Sequence, residues 1–206
     1  MRKTTLAKYI VSSMLMSGLL SLQTAYADEK AAVASPIDAL HSALLDNMKQ
    51  SDTLGFDDRY KILAPVIENN FDTPLISKVI LGRYWREMDA QAQKEFVALF
   101  QQLTTATYAN RFDSYGEHRF SVITIETLKK QRYLVKTELV AKGEEAVSLD
   151  YIVQRSDSKW KIISVIANGV NDLSLKRAEY GTVIREKGYE SLVEDIRLKI
   201  KALQKG

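Results

Sequence analysis

At 206 residues the chain is long enough for one domain of ordinary size and short for two. A hydrophobic fraction of 46% and a charged fraction of 27% exclude the disordered, collagen-like and low-complexity classes. Cysteine is absent, which excludes disulfides, thiolate metal sites and thiol catalysis, and two distant histidines, His41 and His118, are too few for most metal sites and triads.

The net charge of +3 has a single origin. The first 27 residues carry Arg2, Lys3 and Lys8 and no acidic residue; without them, 26 basic residues face 26 acidic ones. A nucleic-acid binder keeps a basic excess, so no nucleic-acid partner is expected. Residues 1–27 have the three parts of an export signal: the basic start, an apolar stretch from Tyr9 to Leu22, and Ala25-Tyr26-Ala27 as a small-x-small cleavage pattern. The stretch is short for a bilayer core of about 30 Å, which favours cleavage before Asp28 over a retained anchor. No cysteine follows, which excludes a lipid-modified lipoprotein. Residues 28–206 are then expected to form a single domain in a bacterial periplasm.

Ser35-Pro36 has the form of a helix start, and Ile37, Leu40, Leu44, Leu45 and Met48 follow as a helical stripe. A second helix is predicted over Asp57–Asn70, bent or split by Pro65. Asp72-Thr73-Pro74 opens a short helix ending near Gly82. Asp89 caps a long one with Phe96, Leu99, Phe100, Leu103, Tyr108 and Phe112 on its apolar side.

Beyond Tyr115 the period changes. Arg119–Leu128, Arg132–Ala141, Ala146–Arg155 and Lys159–Ala167 are rich in β-branched and aromatic residues, with turn residues between them. Tyr133, Val135, Thr137 and Leu139 share one face, as do Val147, Leu149, Tyr151 and Val153. After Gly169 two helices are predicted, one on each side of Gly188. The expected fold is α+β: a four-stranded antiparallel twisted sheet packed against several helices that precede and follow it.

Catalytic chemistry is sparse. His41, with Asp38 and Asp46 nearby in sequence, reads as a surface histidine, and His118 as a solvated loop residue. Asp57-Asp58 and Glu144-Glu145 read as solvated turns. There is no phosphate-binding glycine loop and no G-x-S-x-G. Asp150 is the one carboxylate that suggests a general base in a pocket, although it points away from Tyr151. No catalytic residue, metal or cofactor is expected. Basic residues gather at Lys176-Arg177, Arg185-Glu186-Lys187 and Arg197-Leu198-Lys199, as helix exteriors or as a docking face. The many inward apolar residues fill a core or line a cavity; composition does not distinguish the two.

Two stretches carry a family resemblance. Val79-Ile80-Leu81-Gly82-Arg83-Tyr84-Trp85, then Gln93, Phe96, Phe100 and Tyr108, resembles the Leu-Gly-x-Tyr-aromatic block and following helix of the MlaC family. These are the periplasmic phospholipid carriers of the maintenance-of-lipid-asymmetry system, also called the toluene-tolerance family. Val147 to Tyr151, Trp160-Lys161-Ile162, Gly169-Val170 and Gly188-Tyr189-Glu190-Ser191-Leu192 are similar to its sheet and closing helix. Ser164 stands where many members have Asp, and Asn171 where Gly-Val-Ser is usual, which suggests a side branch, such as the hopanoid-associated one.

The resemblance implies a monomeric lipid carrier with no chemical step. Its cargo would be a phospholipid or a hopanoid-type lipid. Its partners would be an inner-membrane ABC transporter complex and an outer-membrane lipoprotein complex. By position it implies lipid contact at Val147 and Val170, then Leu149 and Tyr151, then Leu81, Trp85, Phe96, Phe100, Leu103 and Tyr108. The alternatives are an isomerase-like enzyme on a cone-shaped α+β fold, needing a buried carboxylate, and a non-carrying adaptor with a filled core.

Overall fold

The computed structural model describes the backbone of residues 7–205 and the side chains of residues 28–205. The export signal read at residues 1–27 lies outside the described side chains. Helix α1 covers Ala7–Lys49 and runs through Pro36, where the sequence predicted a helix start. A proline inside a helix leaves one carbonyl without its backbone donor. At this same position the chain divides into two compact units, Met1–Ser35 and Pro36–Gly206. The first is helical from Ala7 onward.

In the second unit α1 buries Ile37, Leu40, Leu44 and Met48 of the predicted stripe, and Leu45 is half-buried. Helix α2 (Phe56–Asn70) keeps Pro65 inside it without splitting. Pro65 and Lys61 both lie on its exposed side, where the carbonyl that a helical proline leaves unpaired is least costly. Helix α3 (Thr73–Leu81) begins where Asp72 Oδ1 accepts from the Leu75 N–H at 3.0 Å. It ends at Gly82, whose φ of 57° and ψ of −116° suit no other residue. A 3-10 turn (Tyr84–Arg86) leads to α4 (Ala90–Arg111), capped by Asp89 at 2.8 Å from the Ala92 N–H.

The sheet is an antiparallel meander of β1 (Arg119–Leu128), β2 (Arg132–Val140), β3 (Val147–Ser156), β4 (Lys159–Ala167) and β5 (Val170–Asn171), in that spatial order. The expected α+β fold is borne out, and the strand count is corrected from four to five. The extra strand follows a two-residue hairpin at Asn168-Gly169, where both φ angles are positive, 47° and 80°. Asn-Gly is the residue pair such a turn favours. Irregularities in register at Val122/Thr124 and at Ile152/Val153 add local twist.

Register places Tyr133 opposite Val153, Val135 opposite Tyr151 and Leu139 opposite Val147, so the two predicted apolar faces form one. Leu149 and Ala167 continue it, as do Tyr151 and Val165. Helices α5 (Asp172–Lys187) and α6 (Tyr189–Gln204) close the chain. Helices α2, α3 and α5 pack against β4, while α4 packs against α2, α3 and α6. The Phe71 bridge to Ile162 and the Asp72 N–H donated to the Ile162 carbonyl at 2.9 Å fasten the α2–α3 corner to β4.

Candidate functional site

Between the apolar face of the sheet and the helices lies a cavity of about 590 Å³. This falls within the range of roughly 300–1,000 Å³ common for small-molecule sites. The sheet contributes Leu139, Val147, Leu149, Tyr151, Ile163, Val165 and Ala167. Phe71, Ile76 and Ile80 come from the α2–α3 corner, Phe100, Leu103, Tyr108 and Phe112 from α4 and its end, and Leu203 from α6. Thr104 and Thr107 also line it, but their hydroxyls donate to the Phe100 and Leu103 carbonyls at 2.9 and 2.8 Å. With their hydrogen bonds made to their own helix, these threonines add little polar character to the wall.

The cavity has a closed end and a mouth. Leu103 and Tyr151 are 2% and 1% exposed, whereas Val170 and Leu175, both in its lining, are each 56% exposed. The charged lining residues are Arg111 from the last turn of α4, Asp172 and Lys176 from the first turns of α5, and Lys199 from α6. Lys176 Nζ donates to Asp172 Oδ1 at 2.5 Å.

Tyr108 is wedged edge-on to Phe71 and stacked with Phe112. Burial pushes its phenol well above the usual range; Asp172 adds to the shift and Arg111 opposes it. Burial likewise raises Tyr151, with smaller contributions from Tyr108 and Asp150. Both phenols are therefore neutral at physiological pH. Tyr151 shares a hydrogen bond of 3.0 Å with His41 Nε2, and the His41 ring stacks on Phe120 at 3.8 Å.

Of the residues expected to meet a lipid, Val147, Val170, Leu149, Tyr151, Phe100, Leu103 and Tyr108 line the cavity. Leu81, Trp85 and Phe96 are not among its lining residues. Leu81 is buried at the end of α3. Trp85 sits in the 3-10 turn, where its carbonyl accepts from Gln93 Nε2 at 2.7 Å. Phe96 packs on Phe100 and Tyr189, in the seam between α4 and α6. These motif residues shape turns and helix seams.

Two further expectations are corrected. His41 is buried, not on the surface, and burial lowers its pKa to about 4. Asp150 does not line the cavity. Its Oδ1 accepts from the Thr137 N–H and from Ser148 Oγ, both at 3.2 Å, and the Thr137 hydroxyl donates to the Leu149 carbonyl. These side chains bridge a gap in the β2–β3 register between Val135 and Glu138. The candidate general base is thus part of the sheet's own hydrogen bonding.

Sequence reasoning passed over Phe71, Ile76, Ile80, Phe112, Leu173 and Leu203 as cavity residues. Ile76 and Ile80 were legible as an i, i+4 pair on a short apolar helix. The two departures from the family pattern meet in space: Ser164 Oγ and Asn171 Oδ1 lie 3.3 Å apart, and Asn171 Oδ1 accepts from the Ser174 N–H at 2.9 Å, capping α5.

A twisted antiparallel sheet and flanking helices that leave an apolar cavity open at one end define a small α+β domain of the hydrophobic-ligand type. The chain matches the MlaC protein family over residues 38–198, and it belongs to that family. It is 23% identical over 187 residues to the toluene tolerance protein ttg2D of Pseudomonas putida, with 85% of each chain covered. Its fold is similar to that of the phospholipid-binding protein from Ralstonia solanacearum in complex with a phospholipid. The TM-score is 0.72 at 18% identity, covering 84% of this chain and 97% of that one.

Proposed function

We propose that this chain is a periplasmic carrier that takes up a phospholipid, keeps its acyl chains in the cavity and moves it between the inner and outer membranes. The observation that carries the reading is the apolar cavity itself, with a closed end lined by Phe100, Leu103 and Tyr151 and an open mouth at Val170 and Leu175. Family membership and the phospholipid bound by the Ralstonia protein support the cargo. The chain enters the periplasm by a signal cleaved after Ala27 and acts as a monomer. It docks on an inner-membrane ABC transporter complex and an outer-membrane lipoprotein complex.

The energetics explain why a carrier is needed. A phospholipid exposes about 30 methylene and methyl groups, each costing about 0.8 kcal/mol in water, on the order of 24 kcal/mol in all. Unassisted crossing of an aqueous space is therefore negligible. A cavity offers the tails an apolar environment comparable to the bilayer's, so loading and release are nearly balanced. Direction then comes from the docking partners, and the carrier catalyses no chemical step.

The test is organic extraction and mass spectrometry of lipid that co-purifies with the chain after expression with its own leader. Stoichiometric phospholipid is the expected result. A hopanoid would retain the carrier and replace the cargo. Protein that emerges empty, and stays empty when incubated with phospholipid vesicles, would make it an adaptor.

A further inference from the structure

Basic residues from two separate stretches of the sequence meet at one end of the sheet. The β1–β2 turn carries Lys129 and Lys130 and leads to Arg132; the β3–β4 turn is flanked by Arg155 on one side and by Lys159 and Lys161 on the other. Register sets these two hairpin ends side by side: Arg132 lies opposite Gln154, and Gln154 opposite Lys161. Arg132 Nε donates to Gln154 Oε1 at 2.7 Å, which ties the guanidinium to the neighbouring strand. At a strand spacing of about 4.8 Å, Arg132 and Lys161 stand on one face roughly 10 Å apart, and Lys159 shares that face.

The two hairpin ends hold six basic residues against one carboxylate, Asp157, although residues 28–206 as a whole carry 26 of each sign. An ordinary surface intersperses the two signs; here they are segregated. Among the described residues none of the six has a carboxylate within ion-pair distance. Glu126, the acidic residue of β1, is taken by Lys136 at 2.7 Å. Lys129, Lys130, Arg155 and Lys159 are exposed, and Arg132 and Lys161 are half-buried.

An anionic partner completes such a patch, and its form follows from what the patch lacks. A protein interface of ordinary size has an apolar core. None of the large apolar residues exposed among the described residues belongs to either hairpin end. Lysines on turns are flexible point charges, suited to a diffuse layer of negative charge rather than to a site of fixed geometry. The headgroups of anionic phospholipids in a bilayer surface form such a layer. The cavity mouth lies at the other end of the strands. Val170 pairs with Ala167 at the close of β4, and Lys159 opens that strand about 25 Å away.

We infer that this basic end of the sheet is a membrane-contact surface, through which the chain rests on a bilayer of anionic phospholipids with its cavity mouth at the far end of the strands. Such contact concentrates the chain beside membrane-bound partners and leaves the mouth free to meet them. It is separate from cargo uptake, so it stands or falls independently of the carrier reading.

The test is sedimentation of the full exported chain with vesicles of pure phosphatidylcholine, or of equal parts phosphatidylcholine and phosphatidylglycerol. In dilute salt, partitioning onto the anionic vesicles should exceed that onto the neutral ones at least about tenfold, and the excess should vanish near ~0.5 M salt. The variant Lys129→Glu, Lys130→Glu, Lys159→Glu should bring the ratio close to one, whereas Lys129→Arg, Lys130→Arg, Lys159→Arg should keep it. Reversing the same number of charges on α5 and α6, with Arg177→Glu, Arg185→Glu and Arg197→Glu, should leave the ratio within about twofold, because screening confines the attraction to charges near the surface. Lipid carried per molecule, read by mass spectrometry, should be the same in the lysine variants and the unaltered chain. Equal binding to both vesicles by the unaltered chain overturns the contact surface. So does an undiminished ratio in the Lys→Glu variant, or an equal loss when the three helix arginines are reversed. A chain that binds neither vesicle also overturns it, and leaves the six cations to an acidic protein partner.

Discussion

Tyr151, in the cavity lining, shares a hydrogen bond with His41, and the burial of that histidine has a pH signature. Burial lowers the histidine pKa from its ordinary 6.5 to about 4. The unfolded chain therefore takes up this proton as the pH falls below 6.5, whereas the folded chain resists until near 4. Stability from this residue is complete above pH 6.5 and is lost as the pH falls through 4, with a total of about 3 kcal/mol. Urea unfolding at pH 7 and pH 4 should show the wild type losing most of that amount, over and above whatever His41→Gln loses across the same interval. Parallel losses in the two proteins would refute the assignment.

The position of His41 was legible in a signal that the nearby carboxylates obscured. It stands four residues after Ile37 and three before Leu44, inside the stripe that α1 buries. Asp38, a neighbour in sequence, lies on another side of the helix and is exposed. What the sequence could not show was the partner, because Phe120 and Tyr151 are brought to His41 by a sheet whose strands begin some 80 residues later.

At the scale of elements, alternation read along β2 and β3 translated directly into the cavity wall, because antiparallel pairing puts residues of equal orientation opposite one another. Motif membership translated poorly. The Leu81–Trp85 block contains a glycine whose backbone angles demand it, and Phe96 holds α4 against α6. The turn before β5 lay in plain view as Asn168-Gly169, but the strand itself, Val170-Asn171, is two residues long and falls below any periodicity signal.

That distinction between wall and scaffold predicts opposite outcomes for two buried-face substitutions. Leu149→Asp puts an unpaired carboxylate into the cavity, and co-purified lipid per folded protein should fall at least roughly tenfold, since desolvating a charge costs several kcal/mol. Phe96→Ala removes a fully buried ring outside the cavity and should cost about 3–5 kcal/mol of stability. Lipid bound per folded molecule should be unchanged. Mass spectrometry of lipid, paired with urea titration, separates the two. Loss of lipid with Phe96→Ala at full stability would place Phe96 in the wall after all.

At the scale of the molecule, sequence established the class of architecture and left the interior open. Phe100 and Leu103 look the same in a chain whether they meet another side chain or a void, because periodicity reports which way a residue points and not what it meets. Only the three-dimensional arrangement separates a filled core from a space of about 590 Å³. That space has a thermodynamic consequence for the whole fold. An unfilled apolar cavity forfeits dispersion contacts along its wall, so the empty carrier is less stable than a packed domain of equal size. A ligand that binds only the folded state restores stability by mass action, by about 2.7 kcal/mol at a free concentration one hundred times Kd. For a domain of this size that corresponds to a rise in Tm of roughly 5–10 °C. Calorimetry of the delipidated chain should therefore show a transition that climbs with added short-chain phospholipid, held below the concentration at which it forms micelles. Leu149→Asp should abolish the climb, whereas Phe96→Ala should lower the starting Tm and retain it. A wild-type Tm that ignores added phospholipid would mean that the cavity does not accept the ligand proposed for it.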